Sequence, residues 1–400
     1  MSARSCFLVS LFACGAAVPP LPGKGGPAWN ELTSEHFVMW TDASRERGRA
    51  LIREMEELRQ VVIGIGFRGA IEGGQSFVLA VRDDDEAGAF MPGDFAAMAS
   101  PAKSYIRQPM ILLAADSKRD PKGVIAAHEL THTISQAVIK NQPRWFAEGL
   151  AKYFETIQID RGAGMVELGR EPTTQGEPMR MVSMMPLARM FACDDLSCVD
   201  GHFYVAAWAL FTYLTNARGE DLARYEAKLA ELPEDPKRAW QQTFGAMPVE
   251  QLQAAMQHWL VEGRHQVFKY KVQLRTWQVA ERVLGDGDVL AARALLRLQF
   301  QEDRDAARQA VVAALAVDAT NVLAHVVKLE LDASIEAGEA RAIARAHPED
   351  WRAWWLVAAA VRNSDEARQA QYTACELIAK NPAIVPPWQP CPTRTPPPSP

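Results

Sequence analysis

A short histidine-containing run constrains this chain more than any other feature of its sequence. The run is His128-Glu129-Leu130-Thr131-His132, within a segment of helical periodicity. Two imidazoles four positions apart project from one face of a helix, so that both can ligate one Zn²⁺ ion. With 8 histidines among 400 residues, such a run is expected by chance about 0.01 times. We therefore predict two metal ligands here, with Glu129 as the general base that takes a proton from water, rather than two solvated histidines.

The surrounding residues predict that this run lies in a helix. Asp120 is a candidate N-cap, and Pro121 suits the first helical position. An apolar stripe on a different face from the two histidines would pack on a core. Its members are Ala126, Leu130, Ile134 and Ala137. The helix is therefore expected to be anchored on one side and to present its histidines on another.

The next predicted helix, residues 143–155, carries the candidate third ligand. Catalytic zinc has three protein ligands and one open position for water. Glu148 is the predicted third ligand, because the 15 residues between it and His132 suffice for a turn and a second helix packed against the first. Glu155 is the alternative, either as the third ligand or as a group that orients a histidine from behind.

These two helices together resemble a known family. The first run, followed by Trp145-Phe146-Ala147-Glu148-Gly149-Leu150-Ala151, is similar to the gluzincin metallopeptidases, in which two histidines and a downstream glutamate hold zinc. More closely, residues 29–270 resemble the peptidase-MA-like domains of secreted bacterial proteins. The resemblance implies His128, His132 and Glu148 as ligands and Glu129 as the general base.

The same resemblance suggests a role for Tyr204. In such domains a tyrosine opens a helix after the zinc motif, and Tyr204 is followed by the apolar run 205–210. Its hydroxyl would then donate a hydrogen bond to the developing oxyanion. Two alternatives remain open: Tyr204 is only a core aromatic, or His202 supplies the donor.

The predicted fold class is an α+β zincin-like metallopeptidase domain followed by an all-α helical-repeat region. Strands are expected at 36–41, 76–81 and 110–113, with a long helix at 43–62. We expect Met110–Leu113 to be the edge strand that holds an extended peptide by main-chain pairing. Residues 157–168 are expected to form a hairpin that walls the cleft.

One nucleotide-binding motif is excluded by its context. Residues 64–69 fit the pattern G-x-G-x-x-G, but they follow a predicted helix. A dinucleotide loop must follow a strand and open a helix. The glycines are therefore predicted to end the helix.

The chain changes character near residue 272. We predict a zincin-like domain at 28–271, a tetratricopeptide-like helical region at 272–385 and a Pro-rich disordered tail at 386–400. Turn-to-helix boundaries recur around Ala319, Pro348 and Pro382, at offsets of 29 and 34 residues. Such helix pairs bind protein partners or brace a neighbouring domain. A plain helical bundle is the alternative.

The N-terminus predicts export. Residues 1–27 read as a signal and tether, because the apolar run 6–13 is too short to span a bilayer. Residues 11–15 resemble a bacterial lipobox in which Cys14 becomes lipidated, and cleavage after Ala16 or Ala17 is the alternative. The predicted location is the periplasm or outer membrane of a bacterium, with membrane contact only through the lipid.

Two cysteine pairs fit an oxidising compartment. Cys193 and Cys198 are close enough in the chain for a local disulfide, and Cys375 and Cys391 form a second candidate pair.

The functional prediction is an exported zinc-dependent metallopeptidase that hydrolyses a peptide or protein substrate. The formal net charge of −6, without a strong basic patch, argues against a nucleic-acid partner. The alternative is a lipid-anchored scaffold that binds through its helical repeats and retains a vestigial zinc domain.

Overall fold

The computed structural model describes residues 18–67, 75–91, 97–100, 109–120, 123–174, 177–193 and 196–380. The strands within these ranges are β1 (Trp29–Thr33), β2 (Phe37–Thr41), β3 (Ser76–Val81), β4 (Ala97–Ser100), β5 (Met110–Ala114), β6 (Gln158–Asp160), β7 (Met165–Leu168), β8 (Thr173–Thr174), β9 (Glu177–Pro178), β10 (Phe268–Lys271) and β11 (Ala280–Leu284). The helices are α1 (Arg45–Val61), α2 (Asp84–Gly88), α3 (Val124–Val138), α4 (Arg144–Phe154), α5 (Leu187–Phe191), α6 (Gly201–Ala217), α7 (Gly219–Glu231), α8 (Pro236–Phe244), α9 (Val249–Val261), α10 (Asp286–Phe300), α11 (Arg304–Val317), α12 (Val322–Asp332), α13 (Ala337–Ala346), α14 (Trp351–Ala360) and α15 (Asp365–Lys380).

A six-stranded mixed sheet organises the N-terminal half, in the order β11-β1-β2-β3-β5-β4. Strands β2, β3 and β5 are parallel neighbours, whereas β1, β4 and β11 run antiparallel to the strands they pair with. The mixed α and β composition and the three predicted strands are confirmed. The finer assignment to a zincin-like domain stays a prediction.

The two faces of this sheet are covered by different helices. Alternate residues of β5 divide between them: Ile111 packs in one core with Leu130 of α3, and Leu112 packs in the other with Val289 of α10. This alternation follows from the two-residue period of side chains along a strand. The sheet therefore lies between the layer that contains α3 and the C-terminal helices.

The prediction that β5 is the edge strand is wrong. Strand β5 pairs with β3 on one side and with β4 on the other, so its backbone groups are already used. Every residue of β5 is buried, as expected of a strand with an apolar run and both faces covered. Within the described residues, β4 is the outermost strand on this side of the sheet.

The segment predicted to be helical from residue 272 contains a strand before its first helix. Strand β11 pairs antiparallel with β1, with Trp29 opposite Leu284, and so belongs to the same sheet as the N-terminal strands. Its sequence pattern could not indicate this, because the partner lies about 250 residues away in the chain. The proposed domain division itself remains a prediction.

Helix α3 begins three residues later than the sequence suggested. It starts at Val124 with Gly123 at the N-cap, where φ is 67°, a conformation that favours glycine. Asp120 still caps the helix, since its carboxylate accepts hydrogen bonds from the backbone N–H groups of Val124 and Ile125 at 3.0 and 2.8 Å. Pro121 lies outside the described residues.

The predicted apolar stripe of α3 is confirmed except at its end. Ala126, Leu130 and Ile134 are buried in the core, whereas Ala137 is exposed. The last turn of the helix therefore extends beyond the surface on which the rest of it packs.

The glycine-rich run near residue 64 does end a helix. Helix α1 closes at Val61 and continues into a wider turn at Val62–Gly66. Gly69 lies outside the described residues. The rejection of a dinucleotide loop is supported at Gly64 and Gly66, because helix α1, and not a strand, directly precedes them.

The C-terminal region is helical from α10 onward, with two of the predicted boundaries confirmed. Helix α11 ends at Val317 before α12, and α13 ends at Ala346 before α14. The third turn, Cys391 and the tail lie outside the described residues, as do residues 1–17. No described helix is long and apolar enough to cross a membrane. Assignment to tetratricopeptide-like repeats stays a prediction.

Candidate metal centre

Two packed helices supply all the residues predicted to form the metal site. Helix α3 carries His128, Glu129 and His132, and α4 carries Glu148. The chain turns between them at residues 139–143, which allows α4 to pack against α3. His128, Glu129 and Glu148 are buried and His132 is half-buried. The local sequence thus folds into the helix pair that the motif requires.

The three predicted ligand side chains converge on one point. His128 Nε2 and His132 Nε2 are 3.0 Å apart, and each lies 3.3 Å from Glu148 Oε2. Three ligand atoms of a tetrahedral ion at 2.0–2.1 Å would be separated by about 3.3 Å. The triangle formed by the two nitrogens and one oxygen therefore has nearly the size that such an ion requires.

An unsatisfied oxygen also points to a ligand at this place. Glu148 Oε2 is buried and makes no hydrogen bond among the described residues. A buried carboxylate oxygen without a partner is costly. A cation between this oxygen and the two imidazoles would remove that cost. The side chains present therefore fit a divalent metal ion.

Glu155 is not part of the triangle. Its Oε1 lies 2.6 Å from His128 Nδ1, on the opposite side of the ring from Nε2. Because a carboxylate only accepts, this contact requires a hydrogen on Nδ1, and it directs Nε2 toward Glu148. Lys152 Nζ contacts the same oxygen of Glu155 at 2.7 Å. Of the two roles proposed for Glu155, the geometry favours orienting the histidine.

The electrostatics of the cluster favour positive charge at its centre. Burial alone would lower the pKa of His128, but the carboxylates of Glu148 and Glu155 raise it to about 10. Burial would raise the pKa of Glu148, yet the adjacent rings of His132 and His128 hold it well below its usual range. A proton or a metal ion at this position is stabilised by the same carboxylates.

A cleft of about 520 Å³ opens onto this cluster. Glu129 lines it together with both histidines, Glu148 and Tyr204. The carboxylate of Glu129 makes no hydrogen bond or ion pair with the described residues, which leaves it available to a molecule in the cleft. Ala97, Met98 and Ala99 of β4 form one wall.

Tyr204 and His202 occupy different environments. The Tyr204 ring centroid lies 6.3 Å from that of His128, and burial together with the nearby carboxylates of Glu148, Glu129 and Glu155 raises the pKa of its hydroxyl. His202 is exposed, its Nδ1 is 2.7 Å from the carbonyl oxygen of Ser183, and it is not among the described cleft residues. The position of Tyr204 is therefore the one that suits an oxyanion donor.

The close approach of α4 and α6 depends on Gly149. A Cβ at this position would lie 2.5 Å from the carbonyl oxygen of Ala207 and 2.9 Å from Phe211 Cβ. Glu148 precedes this glycine on α4, and Tyr204 lies on α6. The glycine thereby fixes the spacing between the third candidate ligand and the tyrosine.

The hairpin was expected to wall the cleft, and that expectation is wrong for its described residues. Strands β6 and β7 form it as predicted, and β10 pairs with β7. Ile157 and Ile159 instead line a separate pocket with Glu155, behind His128.

The cleft is bordered by Cys193, which forms a disulfide with Cys198 across a Cα–Cα distance of 5.9 Å.

Sequence reasoning missed two cations in the cleft. Lys140 and Arg144 both line it. Arg144 occupies the first position of α4, where a cation opposes the helix dipole. That unfavourable placement is the one signal in the sequence that could have drawn attention to it.

Comparison with known proteins gives one partial match. Residues 125–234 match a family described as "Protein of unknown function (DUF1570)". The matched segment spans α3, α4 and α6 and thus includes all the residues of the candidate centre. No curated protein and no solved structure matches the chain significantly.

Proposed function

We propose that this protein is a zinc-dependent metallopeptidase with a zincin-like, gluzincin-type catalytic domain. The observation that carries the proposal is the triangle of His128 Nε2, His132 Nε2 and Glu148 Oε2 in a cleft that Glu129 also lines. Two imidazoles and one carboxylate are a donor set that zinc accepts in catalytic sites with an open fourth position. His128, His132 and Glu148 would hold the ion.

The chain's own residues can be assigned to the steps of peptide hydrolysis. Zn²⁺, when bound, would polarise a water molecule and the scissile carbonyl. Glu129 takes the proton from the water and passes it to the leaving amine nitrogen. The Tyr204 hydroxyl, kept protonated by its raised pKa, donates a hydrogen bond to the oxyanion.

Strand β4 is the proposed site of main-chain pairing with an extended substrate. It borders the cleft through Ala97, Met98 and Ala99. Strand β5 pairs with one of its edges, and no described strand pairs with the other. An outermost strand beside a cleft can pair with an extended peptide. This assignment replaces the one made for β5.

The alternative of a scaffold with a vestigial zinc domain predicts a blocked cleft or a lost base. Glu129 is present, and the cleft beside it has a volume of about 520 Å³, which supports an enzyme. The C-terminal helices are proposed to brace the sheet, which α10 covers, and to offer a protein-binding surface.

Export to an oxidising bacterial compartment is proposed as well. The Cys193–Cys198 disulfide supports it, since such bonds persist outside the reducing cytosol. The predicted signal segment and the lipidation site Cys14 lie outside the described residues.

An unbiased digest tests the activity. A synthetic peptide library is incubated with the zinc-loaded protein, with the Glu129→Gln variant, and with protein treated with chelator, and cleavage is followed by mass spectrometry. We expect cleavage only by the zinc-loaded wild type. Turnover retained by the Glu129→Gln variant, or cleavage unaffected by chelator, would contradict the mechanism.

A further inference from the structure

The cleft contains a cation that the proposed mechanism does not use. Arg144 lines the cleft beside Glu148 and Tyr204, and its positive charge is close enough to act on the Tyr204 hydroxyl. Its Nε is buried and makes no hydrogen bond, and the guanidinium makes no ion pair within the described residues. A half-buried arginine without an anionic partner is unusual, because each unsatisfied donor carries a desolvation cost.

Helix stability does not account for Arg144. It is the first residue of α4, which has Pro143 at its N-cap, no acidic residue in its first turn and no side-chain cap. A cation at a helix N-terminus is disfavoured by the dipole, and an anion is favoured there. The guanidinium and the helix N-terminus therefore both contribute positive electrostatic potential to the cleft.

The carboxylate of Glu148, the candidate partner of Arg144 on the same helix, lies beside the two histidines. Arg144 and Glu148 are four residues apart on one face of α4, a spacing at which opposite charges are neighbours. The acidic residues described in the cleft are Glu129 and Glu148, and the proposed mechanism uses both.

We propose that Arg144 binds a carboxylate group of the substrate. This inference rests on the proposed function, since it names the substrate class of the same cleft. A guanidinium presents paired N–H donors that match the two oxygens of a carboxylate. Arg144 precedes Glu148 by one helical turn, about 6 Å, so we expect the bound carboxylate to lie a few residues of extended chain from the scissile bond at the metal. Lys140, exposed at the rim, adds to the attraction.

Two substrate groups share this chemistry: a free C-terminal carboxylate and an Asp or Glu side chain. Matched peptide libraries distinguish them. One pair differs only in a C-terminal acid or amide, and a second pair, amidated throughout, contains Asp and Glu or their amides Asn and Gln. If wild type prefers the acidic member of the first pair, Arg144 binds the C-terminal carboxylate. If it prefers the acidic member of the second pair, Arg144 binds an Asp or Glu side chain.

The variants isolate the contribution of Arg144. Arg144→Gln removes the charge, Arg144→Lys keeps the charge but loses the planar fork, and Arg189→Gln removes an exposed charge of α5 outside the cleft lining. We expect Arg144→Gln to lower kcat/KM for the carboxylate-bearing peptides about 10- to 100-fold, the range for a charge-assisted hydrogen bond. Neutral peptides should change by less than about twofold, and Arg144→Lys should be intermediate. Arg189→Gln should match wild type. Equal losses on acidic and neutral peptides, or no preference by wild type, would overturn the proposal.

A binding measurement keeps the inference testable if no peptide is cleaved. Hippurate and its neutral amide are titrated by calorimetry into zinc-loaded Glu129→Gln protein and into the same protein carrying Arg144→Gln. We expect hippurate to bind at least about tenfold more tightly than the amide, with the preference lost in the double variant. An undiminished preference without Arg144 would mean that the metal or another group binds the carboxylate, and no preference in either protein would also refute the inference.

Discussion

Glu155 Oε1 lies 2.6 Å from His128 Nδ1 and thereby sets the orientation of a candidate metal ligand from behind. Lys152, 2.7 Å from the same oxygen, holds the carboxylate in place. The chain thus supplies both a candidate ligand set and a group placed to orient it, an arrangement in which the outer partner contributes measurably to metal affinity.

Replacing Glu155 should weaken metal binding without unfolding the protein. We expect Glu155→Ala to lower zinc affinity about 10- to 100-fold, and Glu155→Gln to lower it less, because the amide oxygen still accepts from Nδ1–H. Competition with a chromophoric chelator measures the affinity, and circular dichroism checks the fold. Wild-type affinity in Glu155→Ala would refute the orienting role and leave the contact as an ordinary ion pair.

Tyr204 and His202 can be separated by their kinetics. We expect Tyr204→Phe to lower kcat about 10²- to 10³-fold, with KM and zinc content near wild type, because the hydroxyl acts only on the oxyanion. His202→Ala should leave kcat unchanged, since this exposed ring is not among the described cleft residues. Steady-state assays on one cleaved peptide decide between them, and the reverse pattern would assign the donor to His202.

A methyl group at Gly149 should disturb both stability and the site. The added Cβ would meet the carbonyl oxygen of Ala207 at 2.5 Å, so α4 and α6 must separate. We expect Gly149→Ala to lower the free energy of unfolding by about 1–3 kcal/mol and to weaken zinc binding, because Glu148 moves with α4. Denaturant unfolding and chelator competition measure the two effects.

Gly338 provides the matched control for this substitution. It lies in α13, and a Cβ there would meet nothing within 4 Å. Gly338→Ala should therefore be neutral or slightly stabilising. If both substitutions have the same effect, the close approach of α4 and α6 is not what Gly149 provides.

A buried acidic pair away from the cleft predicts a pH dependence of stability. Glu86 is buried beside Asp42, and Arg82 and Arg293 are the nearby cations. Burial, together with the Asp42 carboxylate, raises the pKa of Glu86 from 4.5 to about 8. Between pH 4.5 and about 8, Glu86 is more often protonated in the folded protein than in the unfolded chain. The contribution of Glu86 to the free energy of unfolding therefore falls as pH rises.

Glu86→Gln should remove much of that dependence. We expect the melting temperature of wild type to fall more between pH 5 and pH 8 than that of the variant, whereas Glu46→Gln, at an exposed position of α1, should follow wild type. Calorimetry at several pH values tests this. Parallel wild-type and Glu86→Gln curves would show that Glu86 is not the titrating group.

The features that the sequence could predict are those encoded locally. The spacing of His128 and His132 is a property of one helix, and Glu148 follows in the next, so the ligand set required only that adjacent helices pack. The boundaries at Val317 and Ala346 likewise follow from short turn signals.

The features that the sequence could not predict depend on distant contacts. Strand β4, Ala97–Ser100, is short and rich in alanine, and only its pairing with β5 makes it a strand. Strand β11 becomes part of the sheet by pairing with β1, which is distant from it in the sequence. Arg144 gains significance from the absence of a partner, which only the three-dimensional arrangement of the described residues reveals.

Metal stoichiometry tests the central claim most directly. Zinc content is measured by elemental mass spectrometry after loading and gel filtration, for wild type and for His132→Ala and Glu148→Ala variants whose fold is verified by circular dichroism. The three-ligand geometry predicts about one zinc ion per wild-type chain, loss of the ion in His132→Ala and a strongly weakened site in Glu148→Ala. Zinc retained at the wild-type level in His132→Ala, or absent from the wild type, would contradict the proposed metal centre.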